Sequence, residues 1–134
     1  MAFQSSPVLD FSYVAAEDLS DYQYHFVKIN DSGQVQLLDS AAEVPDGVLQ
    51  NAPESGEAAT VRHLGISKVV TNAGLDEGTY VKAEYAGATD CGKAAANTAT
   101  YTVALGRVVG ASSAENDLAS ILLYQGGVIP VALS

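Results

Sequence analysis

The stretch Gly87-Ala88-Thr89-Asp90-Cys91-Gly92-Lys93-Ala94 follows the spacing of a phosphate-binding P-loop until its last position. A P-loop needs Ser or Thr there, because that hydroxyl holds Mg²⁺. Ala94 has no hydroxyl. The loop should also open a helix whose N-terminal amides meet the phosphate. The next segment, Asn97 to Val103, reads as strand instead. The match is read as chance, and residues 86–98, small and polar, read as a surface loop.

Cys91 is the only cysteine, so no intrachain disulfide and no Cys-rich zinc site can form. As a nucleophile it would need a base within hydrogen-bond reach. His25 and His63 fall on separate expected strands, so Cys91 reads as an inert thiol. Two histidines without a spaced Cys partner are a poor zinc set. Carboxylates are plentiful, and a pair from Glu57, Asp76 and Glu84 is the one route to a hydrolase. Most acids sit at turns, where Asp serves the backbone and Glu stays solvated. No D-x-D-x-D-G loop is present for calcium. No catalytic residue, cofactor or metal is expected.

The elements that would carry any site are short strands. The 134 residues fit one domain, and the 48% hydrophobic content with 16% charged argues for a packed core. Sixteen acids against six bases give a net charge of −10. Nucleic-acid binding needs clustered Lys and Arg to displace counterions. Here Lys28, Arg62, Lys68, Lys82, Lys93 and Arg107 stand far apart in sequence, so no nucleic-acid partner is expected. Docking on an anionic membrane is not expected either. The first residues lack the basic start and apolar run of a signal peptide, and synthesis in the cytoplasm is expected.

Residues 1–12 read as an N-terminal arm, ahead of one β-rich domain over 13–134. Its apolar residues Phe3, Val8, Leu9 and Phe11 follow no period, and Pro7 interrupts them. It is either a frayed terminus or an arm that docks on a neighbour. Ala15 to Leu19 allows a helical turn. Tyr24 to Leu37 reads as a hairpin around Asn30-Asp31-Ser32-Gly33. Val48-Leu49-Gln50 is a short strand, and Ala58 to Val70 a long one. Ala59, Val61 and His63 share one face of it. Gly65 sits mid-strand, where a bulge or close backbone approach is expected, with a slip that could exchange the faces beyond. Val81, Ala83 and Tyr85 should face inward. Ser112-Ser113-Ala114-Glu115 matches a capping box, opening a helical turn. Ile121 to Tyr124 and Val128 onward read as separate closing strands, split by Gln125-Gly126-Gly127. The fold class is mostly β: a small β-sandwich or β-barrel-like domain with an extended N-terminal arm and at most one or two helical turns.

The span Gln50 to Glu57 links a short strand to a long one through two turn-formers and two acids. It is an ordinary connection, or a rigid loop that seats against another subunit. Gly47-Val48-Leu49-Gln50-Asn51-Ala52-Pro53, then Gly56-Glu57-Ala58-Ala59-Thr60-Val61-Arg62 and Gly65-Ile66-Ser67-Lys68-Val69-Val70, resembles the capsid decoration, or cement, proteins of tailed bacteriophages. The resemblance covers roughly residues 14 to 124, and the end of the chain departs from it. It implies a β-rich homo-oligomer, often a trimer. It implies attachment to the outer capsid surface of a virion, with the major capsid protein as partner, and no enzyme activity. The expected function is a structural protein that stabilises the head by bridging capsomers. The alternative is another virion module, a tail component or a carbohydrate-binding β-sandwich that stacks sugars on Tyr80 and Tyr101. The contact residues expected are Phe3, Val8, Leu9 and Phe11, with Asn51, Pro53, Glu54 and Glu57.

Overall fold

The long strand foreseen over Ala58 to Val70 organises the molecule. Its alternating side chains fit a pleated strand whose two faces meet different surroundings. The computed structural model describes residues 7–41, 43–99 and 103–128, with side chains to Tyr124. Nine strands run in chain order: β1 (Leu9–Ala15), β2 (Phe26–Ile29), β3 (Gln34–Gln36), β4 (Gly47–Leu49), β5 (Ala58–Val70), β6 (Tyr80–Tyr85), β7 (Cys91–Ala96), β8 (Val103–Gly110) and β9 (Leu118–Val128). No helix occurs among the described residues.

The order β1-β3-β2-β4-β5 closes on itself, because β1 also pairs with β5. These five strands form a barrel. The order then runs on as an open sheet, β5-β9-β8-β6-β7. β5 belongs to both. Its first half pairs with β1 and β4. From Gly65 to Val70 it pairs with β9.

Gly65 is the joint. Its φ of +101° lies where L side chains rarely go. A Cβ there would stand 2.8 Å from Val8 Cγ1 and 2.9 Å from the Pro7 carbonyl oxygen. Leu9 faces Leu64 and Asp10 faces Arg62, so His63 is the extra residue of a bulge. The expected bulge and close approach are both present. The faces are not exchanged: Ala59, Val61, Ser67 and Val69 are all buried.

Two cores result. Val27, Val35, Leu49, Ala59 and Val61 fill the barrel. Phe26 and Val48 point the other way and pack with Val69, Val81, Val108 and Ile121 of the open sheet. The short β2 and β4 are thus buried on both faces, as wall of the barrel and floor of the sheet. The foreseen hairpin is β2–β3, closed by Asn30, whose Oδ1 accepts from the amides of Ser32 and Gln34, each at 3.0 Å.

Several expectations differ from the structure. Residues 86–98 are not one surface loop, because Cys91–Ala96 is β7. Its residues are small for contact, not for solubility: a Cβ on Gly92 would lie 2.5 Å from the Phe26 carbonyl oxygen. Gly126 and Gly127 do not split the last strand. β9 runs through them, and Gly127 and Val128 pair with Ala104 and Val103. No helical turn forms at Ala15 to Leu19, because the amides of Ala15, Ala16 and Leu19 go to carbonyls of Glu57, Val35 and Pro53. None opens at Ser112 either. There Asp117, not Glu115, accepts from the Ser113 amide at 2.9 Å, and Asn116 takes a φ of +64°. Leu9 and Phe11, read as aperiodic arm residues, lie in β1 opposite Leu64 and Val61. Phe3 and residues 129–134 fall outside the described residues.

Candidate functional site

The loop from Gln50 to Glu57 is held by its own side chains. Asn51 Nδ2 donates to the Ala58 carbonyl at 2.9 Å, and Asn51 Oδ1 accepts from the Thr60 amide at 3.0 Å. Pro53 is buried, and its carbonyl accepts from the Leu19 amide at 2.9 Å. Glu57 Oε1 accepts from the Glu54 amide at 2.7 Å. The amides of Gly56 and Ala15 bond the carbonyls of Ala15 and Glu57. Asn51 and Pro53 are therefore fasteners. The exposed part carries the polar side chains of Glu54, Ser55 and Glu57, beside the exposed Glu17, Asp18 and Asp21 that come after β1. These five carboxylates crown one end of the barrel. None forms an ion pair among the described residues. Hydrogen bonding from Ser20 holds the Asp18 carboxyl below its ordinary range.

Val8, Leu9 and Phe11 gather elsewhere, at the joint. All three are exposed. The Phe11 ring meets His63 edge-on, with centroids 5.5 Å apart, and Tyr13 Oη lies 2.9 Å from His63 Nε2. Arg62 straps the joint: it grips Asp10 with two bonds of 2.8 and 3.0 Å and donates to the Ile66 carbonyl at 2.9 Å. Six strand steps separate Ala58 from Leu64, roughly 20 Å. Val8 and Leu9 thus lie at the far end of the β1–β5 ribbon from the Asn51–Glu57 loop, with Phe11 midway, opposite Val61.

A third surface was not foreseen. Register places Ile66, Leu122, Arg107 and Tyr80 side by side across β5, β9, β8 and β6. They form one row on the outer face of the open sheet. Val70 and Leu118 form a second row, and Lys68 lies beside Ser120 between them. Arg107 is fixed in place. Its Nε donates to the Gly78 carbonyl at 2.8 Å, and its Cζ sits 5.2 Å from the Tyr80 ring centroid. That stacking occupies Tyr80, one of the two tyrosines expected to meet sugars; Tyr101 lies outside the described residues. Burial pushes the Tyr124 hydroxyl up, with Tyr80 raising it further and Arg107 opposing.

None of the residues read for chemistry sits in a reactive arrangement. Cys91 is buried in the barrel core, its Sγ 3.9 Å from the Leu38 carbonyl oxygen and 4.0 Å from that of Ala88. Burial pushes its thiol up. His25 lies against the neighbouring Gly92, a proximity sequence alone did not show, yet its Nδ1 turns to the Gln23 carbonyl at 3.1 Å. The P-loop look-alike leads into β7, not a helix. Glu57, Asp76 and Glu84 lie on separate elements. Lys28 reaches Asp39 at 2.6 Å and also Glu43, and its hydrogen bonds to Asp39 first and Glu43 second push its ammonium up to about 12. No group of three or more His, Cys, Asp or Glu that could hold a metal ion is present among the described residues.

By sequence the chain matches no protein-family model and no curated protein. Its fold is shared with a solved structure, the N base of the head fiber gp8.5 in bacteriophage phi29. The two superpose with a TM-score of 0.62 at 16% identity, over 88% of this chain and 95% of that one. At that identity the likeness establishes the fold.

Proposed function

We propose that this chain is a structural protein of a phage virion, seated on the outer surface of the head, where it bridges neighbouring capsomers. The observation that carries the reading is the shared fold: nearly the whole chain follows the plan of a domain named as the base of a head fiber. The Leu49 to Lys68 motif, similar to capsid decoration proteins, supports the same reading from sequence. So does a connecting loop, Gln50 to Glu57, held rigid by its own side chains.

The physics of the role is additive. A protein that touches several capsomers must leave all of them at once, so modest contacts combine through effective concentration. A homo-oligomer, a trimer on a threefold site above all, repeats each contact by symmetry. The major capsid protein is the proposed partner. The acidic charge of −10 suits a position away from packaged DNA.

The test is to mix the purified protein with mature heads that lack it. Saturable binding and a raised temperature of head disruption are expected. Absence of binding to both expanded and unexpanded shells of its own phage overturns the reading.

A further inference from the structure

We propose that the outer face of the open sheet receives the acidic barrel end of a second copy of this chain, so that copies join head to tail into a small closed ring. The inference rests on the homo-oligomer part of the proposed function and not on capsid binding.

The face breaks the rule for solvated antiparallel sheets, whose outward positions are polar. The outward residues of β9 are Leu118, Ser120, Leu122 and Tyr124, and the two leucines are each 41% exposed. Half-buried Ile66 and Val70 continue the apolar strip onto β5. A contiguous apolar strip rimmed by charge marks a protein contact. At its centre Arg107 is held by Gly78 and Tyr80, so little side-chain freedom remains to be lost on binding. Arg, Tyr and fixed apolar neighbours are the makings of an interface hot spot.

Charge selects the occupant. Of the six bases, Lys28, Arg62 and Lys93 are ion-paired within the chain. Lys68, Lys82 and Arg107 have no carboxylate partner among the described residues. All three lie on this one face, since Arg107 stands opposite Tyr80 and Lys82 is two residues along β6. The matching anions are on the same chain: Glu17, Asp18, Asp21, Glu54 and Glu57 at the barrel end, with a loop already rigid. Two sheet faces stacked together would set cation against cation. Face against barrel end sets cation against anion. Repulsion between copies of net charge −10 is screened beyond about 8 Å at physiological salt, so the local match decides. Such a contact joins different patches, and it closes into a ring or grows as a filament. A trimeric ring is the form expected.

Light scattering on the purified full chain tests this. The wild type should weigh three times the 13.8 kDa chain, and dissociate as salt rises. Reversing the face (K68E with R107E) or the barrel end (D18K with E54K) should weaken association at least about tenfold each, giving monomers. Combining all four reversals in one chain (D18K, E54K, K68E and R107E) should restore the trimer, because every copy then pairs an anionic face with a cationic end. The single variant Leu122→Glu, at an exposed site, should also be monomeric with unchanged circular dichroism. A wild type that stays monomeric at all concentrations overturns the proposal. So do reversed variants that keep the wild-type mass, or a folded doubly reversed chain that stays monomeric. Monomeric variants that still saturate mature heads would leave the capsid reading standing. Intact rings that never bind heads would sink that reading alone.

Discussion

The barrel and the open sheet share β5 and little else in design. In the barrel every strand has two neighbours, so no edge is left to manage. Its interior is filled by aliphatic side chains, and its connections are fastened to one another: Asn51 to β5, Pro53 to Leu19, Gly56 to Ala15. The open sheet is anchored on one face only. Its inner face packs on Phe26 and Val48, while its outer face shows leucines and cations that have no carboxylate partner among the described residues. Fastened connections are concentrated in the first region, and outward leucines in register with a held arginine in the second.

That contrast is broken most severely where the two regions touch. Gly92, with φ +90°, lies where a Cβ would be 2.5 Å from the backbone oxygen of Phe26. Backbone cannot swing aside as a side-chain tip can. Gly92→Ala should cost about 3–4 kcal/mol, with strain and displacement of β7 combined. Gly33→Ala is the control: its φ of +74° carries the strain, but nothing lies within 4 Å. It should cost only about 1–2 kcal/mol. Urea unfolding of both proteins would measure the difference, and equal losses would mean that β7 does not pack on β2.

A second pair compares the regions directly. Leu49 is fully buried in the barrel, and Leu122 stands on the outer sheet face. Leu49→Ala should cost about 2–5 kcal/mol. Leu122→Ala in the monomer should stay within about 0.5 kcal/mol of wild type. A large loss at Leu122 in dilute, monomeric protein would show that its surface is intramolecular core.

The two regions were also unequally legible in sequence. The β2–β3 hairpin and the alternation of β5 could be read because turn chemistry and a period of two are local signals. Gly65 was legible for the same reason, as a break in a regular pattern. β7 was not, because Gly92, Ala94 and Ala95 owe their small size to a partner strand far away in sequence, and composition alone makes small residues look like loop. The acidic loop could be located but not interpreted: that Asn51 and Pro53 are fasteners depends on β5 and on Leu19. The outer sheet face was invisible. Its central row draws residues 66, 122, 107 and 80 from four strands, and only long-range pairing brings the cations together. Spacing along the chain had placed those bases apart, which is true of the sequence and untrue of the surface.

A smaller effect tests whether the barrel end is rigid in its own right. Asn51→Ala removes both side-chain bonds that span β4 and β5. The Thr60 amide is half-buried and loses its acceptor, so a loss of about 1–2 kcal/mol is expected. Amide exchange should quicken across residues 51–60 and stay unchanged in β8 and β9. Exchange that quickened in β8 and β9 as well would mean that the two regions open as one unit.

The smallest effect is one of pH, at the barrel–sheet contact. His25 is buried beside Gly92, with its ring edge-on to Tyr22 at 5.3 Å. Burial pushes its imidazole below the ordinary 6.5, with Lys93 adding to the fall against the raising hydrogen bonds that the ring gives to the Gln23 and Tyr22 backbone. The unfolded chain then binds the proton more readily than the fold does. Stability contributed by the neutral ring is complete above 6.5 and is lost as pH falls from there through the lower folded value. His25→Gln, which keeps a hydrogen-bonding side chain without a proton to gain, should flatten that part of the profile. Unfolding free energy measured from pH 7 to 5 should therefore fall for the wild type, and less steeply for His25→Gln. Equal slopes for the two proteins would mean that His25 does not make the seam where β7 meets β2 sensitive to pH.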